Sequence, residues 1–182
     1  MNISRLHRLF AGCAAAALIN GNAVAATTGT LAATSTGTVT INASVPNRVQ
    51  LTGLTDVSFL NQDPATAAQN AQNVCVWSNT STKGYNVTAS GSGTASAFTL
   101  SNGSATVPYS VEWSGTSGVS SGTALLTGAA LTGLKSTATS ATCSAGPASS
   151  ASLIVKMTTA NLQTMQAATS YTGTLTLVVA PE

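Results

Sequence analysis

The sequence predicts an all-β protein built as an antiparallel β-sandwich. Strand-length runs alternate between apolar and polar side chains, turn-forming residues separate these runs, and no segment has the spacing of a convincing amphipathic helix. The composition points the same way, because a chain rich in Thr, Ser, Ala and Gly with only 5% charged residues suits strands better than helices. Residues 26–182 are enough for one core, so we expect one domain.

The chain opens with the features of a removable secretion signal. Basic residues precede an apolar stretch over residues 9–19, and small residues follow it. We therefore predict that residues 1–25 are a signal peptide, cut after residue 25 or 26. A lipoprotein signal with Cys13 as the lipidated residue is the alternative, but almost no apolar core would precede that cysteine.

The first element after the signal has the most regular pattern. From Gly29 to Val45 the odd positions are mainly apolar or small, and the even positions are nearly all Thr, Asn or Ser, which is the period of a strand. Pro46 interrupts this pattern, so a second strand is predicted from Arg48 to Leu54. Residues 61–73 are expected to form a loop or a short helical turn.

The rest of the chain continues as short strands separated by turns. Residues 101–104, with the sequence SNGS, are a hairpin signal, and residues 135–150 read as a loop that carries Cys143. Alternation predicts the remaining strands at residues 74–77, 85–89, 97–100, 107–113, 153–157 and 171–179.

Removal of the signal changes the chemistry of the chain. Beyond it remain Cys75 and Cys143, which an oxidising compartment is expected to join in a disulfide. The charges beyond the signal cancel, so no basic surface remains for nucleic acid. These charged residues are Arg48, Lys83, Lys135 and Lys156 against Asp56, Asp63, Glu112 and Glu182.

The secreted chain lacks the residues that most enzymes use. The sole histidine, His7, leaves with the signal, so there is no Ser-His pair, no Cys-His pair and no imidazole ligand for a metal. Glu112 with Asp56 or Asp63 is the carboxylate pair that a glycosidase would need, but solvated surface acids are the simpler interpretation. We predict no enzyme, no catalytic residue, no metal and no cofactor.

Trp77 and Trp113 leave two interpretations open. Exposed tryptophans would stack on sugar rings, whereas buried ones would anchor the core, which their apolar neighbours in strand patterns favour. If the tryptophans are exposed, the protein would be a secreted, self-contained β-sandwich that binds carbohydrate or acts as a spore-coat-like surface protein. We keep this function as the alternative to the one that the ends of the chain imply.

Both ends of the secreted chain resemble subunits of chaperone-usher pili. Residues 38–46, TVTINASVP, are similar to the start of the alpha-type colonisation-factor pilins. Residues 171–177, YTGTLTL, are similar to the last strand of those proteins and of spore-coat-U-like archaic pilins. The resemblance implies an immunoglobulin-like sandwich that lacks its last strand. Residues 26–46 would be a donor-strand extension and residues 47–182 the pilin domain.

The resemblance also implies a function and partners. The protein would be a structural subunit of a surface pilus or fimbria, secreted through the periplasm and polymerised non-covalently by donor-strand exchange, in support of adhesion or biofilm. Its partners would be other copies of the subunit, a periplasmic chaperone and an outer-membrane usher, with a host receptor or surface glycan as the target of adhesion.

The predicted site residues fall into two sets. The implied donor strand presents Leu31, Ala33, Gly37, Val39, Ile41, Ala43 and Val45. The implied acceptor groove and chaperone contact comprise Tyr171, Gly173, Leu175, Leu177 and Val179.

Overall fold

The computed structural model describes residues 26–182, so the predicted signal peptide, residues 1–25, lies outside the described residues. The chain divides into two units, Met1–Val45 and Pro46–Glu182. The first is described from residue 26 onward, and the second is described in full.

The first unit does not contain the continuous strand that its alternation predicts. Between residues 26 and 45 the backbone forms one isolated antiparallel bridge, between Thr27 and Thr38, and all side chains are exposed. The prediction of a strand from Gly29 to Val45 is therefore not met in the isolated chain. Alternation suits a strand only where a neighbouring strand accepts and donates its hydrogen bonds, and without one the backbone bonds to water.

The second unit is almost entirely β-structure, as predicted, with one short α-helix and a single 3-10 turn at Thr94–Ser96. Its elements are β1 (Val49–Thr52), β2 (Ala68–Ser78), β3 (Gly84–Gly91), β4 (Thr99–Ser101), β5 (Thr106–Pro108), β6 (Ser110–Ser114), β7 (Thr123–Ala124), β8 (Ala130–Lys135), β9 (Ala151–Met157), α1 (Thr159–Gln163) and β10 (Leu175–Pro181).

The strands form three antiparallel sheets. The largest has five strands in the order β1-β2-β9-β6-β7, the second has three in the order β10-β3-β8, and β4 and β5 form a hairpin. No helix within residues 26–182 has both the length and the apolar character needed to cross a membrane.

One hydrophobic core joins the two larger sheets. Val74 and Val76 of β2 and Trp113 of β6 enter it from the five-stranded sheet, and Tyr85 and Val87 of β3 enter it from the three-stranded sheet. All five are at most 1% exposed.

The core is covered less well where β10 packs on it. The inward-facing residues of β10 are only half-buried against the core: Leu175, Leu177 and Val179.

The loop prediction for residues 61–73 is wrong over its second half. β2 begins at Ala68, and residues 68–74 pair in register with β9, from Ala68 opposite Met157 to Val74 opposite Ala151. The polar sequence AQNAQN has little intrinsic preference for a strand. Pairing with the buried strand β9 overrides that preference.

The predicted disulfide forms and anchors the long loop before β9. Cys75 and Cys143 are bonded across a sequence separation of 68, and Trp77 packs against them. Pairing of β2 with β9 ends at Val74, and beyond it the Ser150 hydroxyl both accepts from the Val76 amide and donates to the Val76 carbonyl, each at 2.8 Å. The loop thus replaces hydrogen bonds that β9 no longer supplies.

Candidate functional site

A long open groove runs along the edge of the second unit. Its volume is about 1190 Å³, and all of its lining residues belong to Pro46–Glu182. One wall is formed by residues 54–64, which follow β1, and the other by residues 166–177, which lead into β10. A volume of this size exceeds that of a typical pocket for a small molecule.

Strand β10 forms part of one wall and is an edge strand. It pairs with β3 along one side, from Leu175 opposite Gly91 to Pro181 opposite Tyr85. The side chains alternate as a strand requires: Leu175 and Leu177 are half-buried and line the groove, whereas Val178 is 57% exposed. An edge strand offers a row of main-chain groups on which a further strand can form.

The chain just before β10 is held against β4. Thr172 and Ser101 exchange two backbone hydrogen bonds of 2.8 and 2.9 Å. A Cβ atom on Gly173 would lie 2.7 Å from the Thr99 carbonyl oxygen, so only glycine fits here without movement of the backbone. The Tyr171 hydroxyl accepts a hydrogen bond of 3.1 Å from the Gln166 amide, which closes the loop above the groove.

The opposite wall is fixed by one side chain of β2. The Gln72 side-chain carbonyl accepts a 2.8 Å hydrogen bond from the Thr55 amide, and its amide nitrogen donates to the Thr55 carbonyl at 3.1 Å. This pair holds a segment that has no strand pairing of its own. Leu54 and Leu60 of this wall are 47% and 73% exposed.

The floor of the groove is the hydrophobic core itself. It is formed by Leu153, Val155 and Met157 of β9, with Leu162 of α1 at one end. Asp56 is the sole charged residue in the lining. Burial raises the pKa of Tyr109, which also lines the groove, above its ordinary value of 10.0. The groove therefore combines an apolar floor with walls that carry uncharged polar side chains and one carboxylate.

The predicted acceptor residues are largely brought together here. Tyr171, Gly173, Leu175 and Leu177 line the groove, whereas Val179 lies farther along β10 and packs against the core. Whether a chaperone or a second subunit contacts them stays a prediction.

The predicted donor residues lie in the first unit and are solvent-exposed. Exposure reaches 105% for Leu31, 66% for Val39, 89% for Ile41 and 82% for Val45. Ala33, Gly37 and Ala43 are exposed as well. Whether this segment binds another chain stays a prediction.

Sequence reasoning missed the opposite wall and the floor. Leu153, Val155 and Met157 were recognised as one face of a strand, but alternation gives no sign that this face borders an opening. The wall at residues 54–64 has no period at all. The signal that could have found this wall is the group of apolar residues Val57, Phe59 and Leu60, which lies between the predicted strand and the predicted loop.

The two tryptophans differ in their surroundings. Trp113 is 1% exposed, and its indole N–H donates a 3.3 Å hydrogen bond to the Tyr85 hydroxyl, so it cannot serve as a stacking surface for sugar. Trp77 is half-buried against the disulfide.

Within residues 26–182, no three His, Cys, Asp or Glu side chains group closely enough to hold a metal ion. Comparison with protein-family models found no match, and comparison with curated proteins found none either.

Proposed function

We propose that the protein is a structural subunit of a surface pilus or fimbria, polymerised non-covalently by donor-strand exchange. In this proposal the exposed extension at residues 26–46 is the donor and the open groove beside β10 is the acceptor. Each subunit gives its extension to the next copy and receives one from the copy before it.

The observation that carries the proposal is the groove. It lies beside an edge strand, its floor is the hydrophobic core, and Leu153, Val155 and Met157 border it. A self-contained β-sandwich would normally cover such a groove and pair such an edge strand, because an unpaired strand edge invites aggregation. A strand supplied by another chain would close it with main-chain hydrogen bonds and apolar side chains together.

The strand order supports an incomplete immunoglobulin-like sandwich. The order β1-β2-β9-β6 is that of strands A, B, E and D in the first sheet of a constant-type domain, and β10-β3 is that of F and C in the second. Among the strands in residues 26–182, no counterpart of strand G lies beside β10. A donor strand would occupy that place.

The extension carries the side chains that such a strand needs. Val39, Ile41 and Val45 share one face of an alternating segment, and each would contribute about 1.5 to 3 kcal/mol on full burial. Each main-chain hydrogen bond to β10 would contribute roughly 1 kcal/mol net. Together, the buried side chains and the main-chain hydrogen bonds would hold two neighbouring subunits together without a covalent link.

The partners follow from the same groove. Before assembly, a subunit with an open groove and an unpaired edge strand needs a temporary occupant, which in this proposal is a strand of a periplasmic chaperone, and an outer-membrane usher directs the exchange. The finished fibre lies at the cell surface, where it supports adhesion or biofilm.

The test is gel electrophoresis in SDS of protein sheared from the producing cell, unheated and boiled side by side. We expect a ladder that collapses to monomer on boiling. Ile41→Asp should abolish it, because a charge would enter the apolar groove, whereas Asn42→Asp adds the same charge on the other face and should keep it. A monomer band from soluble, folded wild type under both conditions would reject the proposal.

A further inference from the structure

The extension is closed on itself by one pair of threonines. Thr27 and Thr38 exchange two backbone hydrogen bonds of 3.0 Å each, and their hydroxyl oxygens lie 2.5 Å apart. Together these three contacts tie residues 27–38 into a loop with bends at residues 31–34. We call this pair the threonine clasp.

Two glycines make room for the loop. A Cβ atom at Gly29 would collide with the Ser35 hydroxyl, and one at Gly37 would lie 3.0 Å from the Thr27 carbonyl oxygen. A side chain at Gly37 would need the Thr27 backbone to shift by a few tenths of an ångström, whereas the hydroxyl beside Gly29 belongs to a serine side chain that can turn away. Glycine at these two positions lets the two ends of the loop approach closely.

The clasp divides the alternating segment at Thr38, so that a stretch as long as β10 follows it. Beyond it, Val39–Val45 is free to extend, and this stretch matches the seven residues of β10. Seven extended residues span about 24 Å, whereas the whole alternating stretch from Gly29 to Val45 would span about 58 Å. The long stretch would overrun the edge that β10 offers.

We propose that the threonine clasp persists in the assembled fibre and sets the amino-terminal end of the donor strand at Val39. This inference rests on the proposed function. It assigns Val39, Ile41, Ala43 and Val45 to the joint, and it places Leu31, Ala33 and Gly37 in a closed loop outside the joint.

Hydrogen exchange on the assembled fibre tests the proposal. Fibres are exchanged in D2O, dissociated under quench conditions, and digested for mass spectrometry. We expect amides of residues 39–45 to exchange at least about 100-fold more slowly than those of residues 30–36, because only the former are bonded in a sheet. Equal protection across both stretches would overturn the proposal.

A cysteine pair provides a second test. Residues that exchange two hydrogen bonds in an antiparallel pair have Cα atoms about 5.5 Å apart, which suits a disulfide. Thr27→Cys with Thr38→Cys should lock the clasp, with closure checked by thiol alkylation and mass, and should leave the ladder unchanged on unheated, non-reducing gels. Loss of the ladder, while either single cysteine variant keeps it, would show that the loop must open and would overturn the proposal.

The two proposals fail in different ways. A wild type without a ladder rejects donor-strand exchange, and the clasp is then tested in the monomer by NMR. There the amide of Thr38, which donates to the Thr27 carbonyl, should exchange more slowly than those of Thr36 and Thr40. Absence of that difference would reject the clasp itself.

Discussion

The Trp113 indole N–H donates a 3.3 Å hydrogen bond to the Tyr85 hydroxyl in the centre of the core. Trp113 comes from β6 and Tyr85 from β3, so this bond joins the five-stranded and the three-stranded sheet. Both side chains are at most 1% exposed, and water cannot replace either partner.

Tyr85→Phe should therefore destabilise the fold by about 1–3 kcal/mol, because it leaves the buried Trp113 N–H without an acceptor. The measurement is urea unfolding followed by circular dichroism. Tyr171→Phe is the matched control, since its hydroxyl accepts from the Gln166 amide at an exposed site. An equal loss of stability in both variants would contradict the importance of the buried bond.

The same tyrosine predicts a loss of stability at alkaline pH. Burial raises the pKa of Tyr85 above its ordinary 10.0, and the hydrogen bond from Trp113 only partly opposes this. The unfolded chain then loses its proton first, so stability is full below pH 10 and falls as pH rises through the raised pKa. Tyr85→Phe should flatten this fall, as seen in unfolding midpoints between pH 8 and 11. A slope unchanged from wild type would contradict the prediction.

One ion pair makes the stability of the fold depend weakly on pH in the acid range. Lys156 Nζ lies 2.7 Å from Glu112 Oε1, and this hydrogen bond lowers the pKa of Glu112, with a further contribution from the Gly122 amide. The stability that this ion pair contributes to the fold is present above pH 4.5 and is lost as pH falls through the lowered pKa of Glu112. Because both side chains are partly exposed, we expect Glu112→Gln to cost only about 0.5 kcal/mol at pH 7. The difference in stability between the variant and the wild type should shrink as pH falls below 4.5, as measured by urea unfolding at several pH values.

The disulfide should contribute far more. Replacing Cys75 and Cys143 together by alanine opens a loop of sequence separation 68, and the loop-entropy relation gives a loss of about 4 kcal/mol. Trp77 packs on this disulfide, so its fluorescence should shift to the red. A Trp113→Phe background isolates the Trp77 signal, and an unchanged spectrum in the double alanine variant would show that the disulfide does not hold this region.

Alternation in the sequence predicted several of the strands, but it did not predict β7 or β8. Alternation located β3, β6, β9 and β10, because each strand has one face in the core. It failed for the polar half of β2, whose pairing with β9 is non-local, and for the extension, whose pattern needs a partner strand. The resemblance implied a groove beside residues 171–179, but its opposite wall could not be predicted, because the position of residues 54–64 depends on non-local packing.

The two faces of β10 should respond differently to an added charge. Leu177 lines the groove, while its neighbour Val178 is 57% exposed on the other face of β10. Leu177→Asp should therefore abolish the heat-sensitive ladder, and Val178→Asp should retain it. Both variants are first checked for folding by circular dichroism, so that loss of the ladder is not mistaken for loss of the fold.

Mixing defective subunits then distinguishes a joint from general stickiness. Ile41→Asp has a damaged donor with an intact groove, and Leu177→Asp has an intact donor with a damaged groove. When both are expressed in the producing cell, the donor strand of the Leu177→Asp variant can enter the groove of the Ile41→Asp variant. No other joint between the two variants can form. We expect an SDS-resistant dimer that boiling dissociates, without higher bands, and neither variant alone should give it. Higher bands from the mixture would mean that the subunits associate through some other surface, because a strand given in one direction cannot extend this dimer.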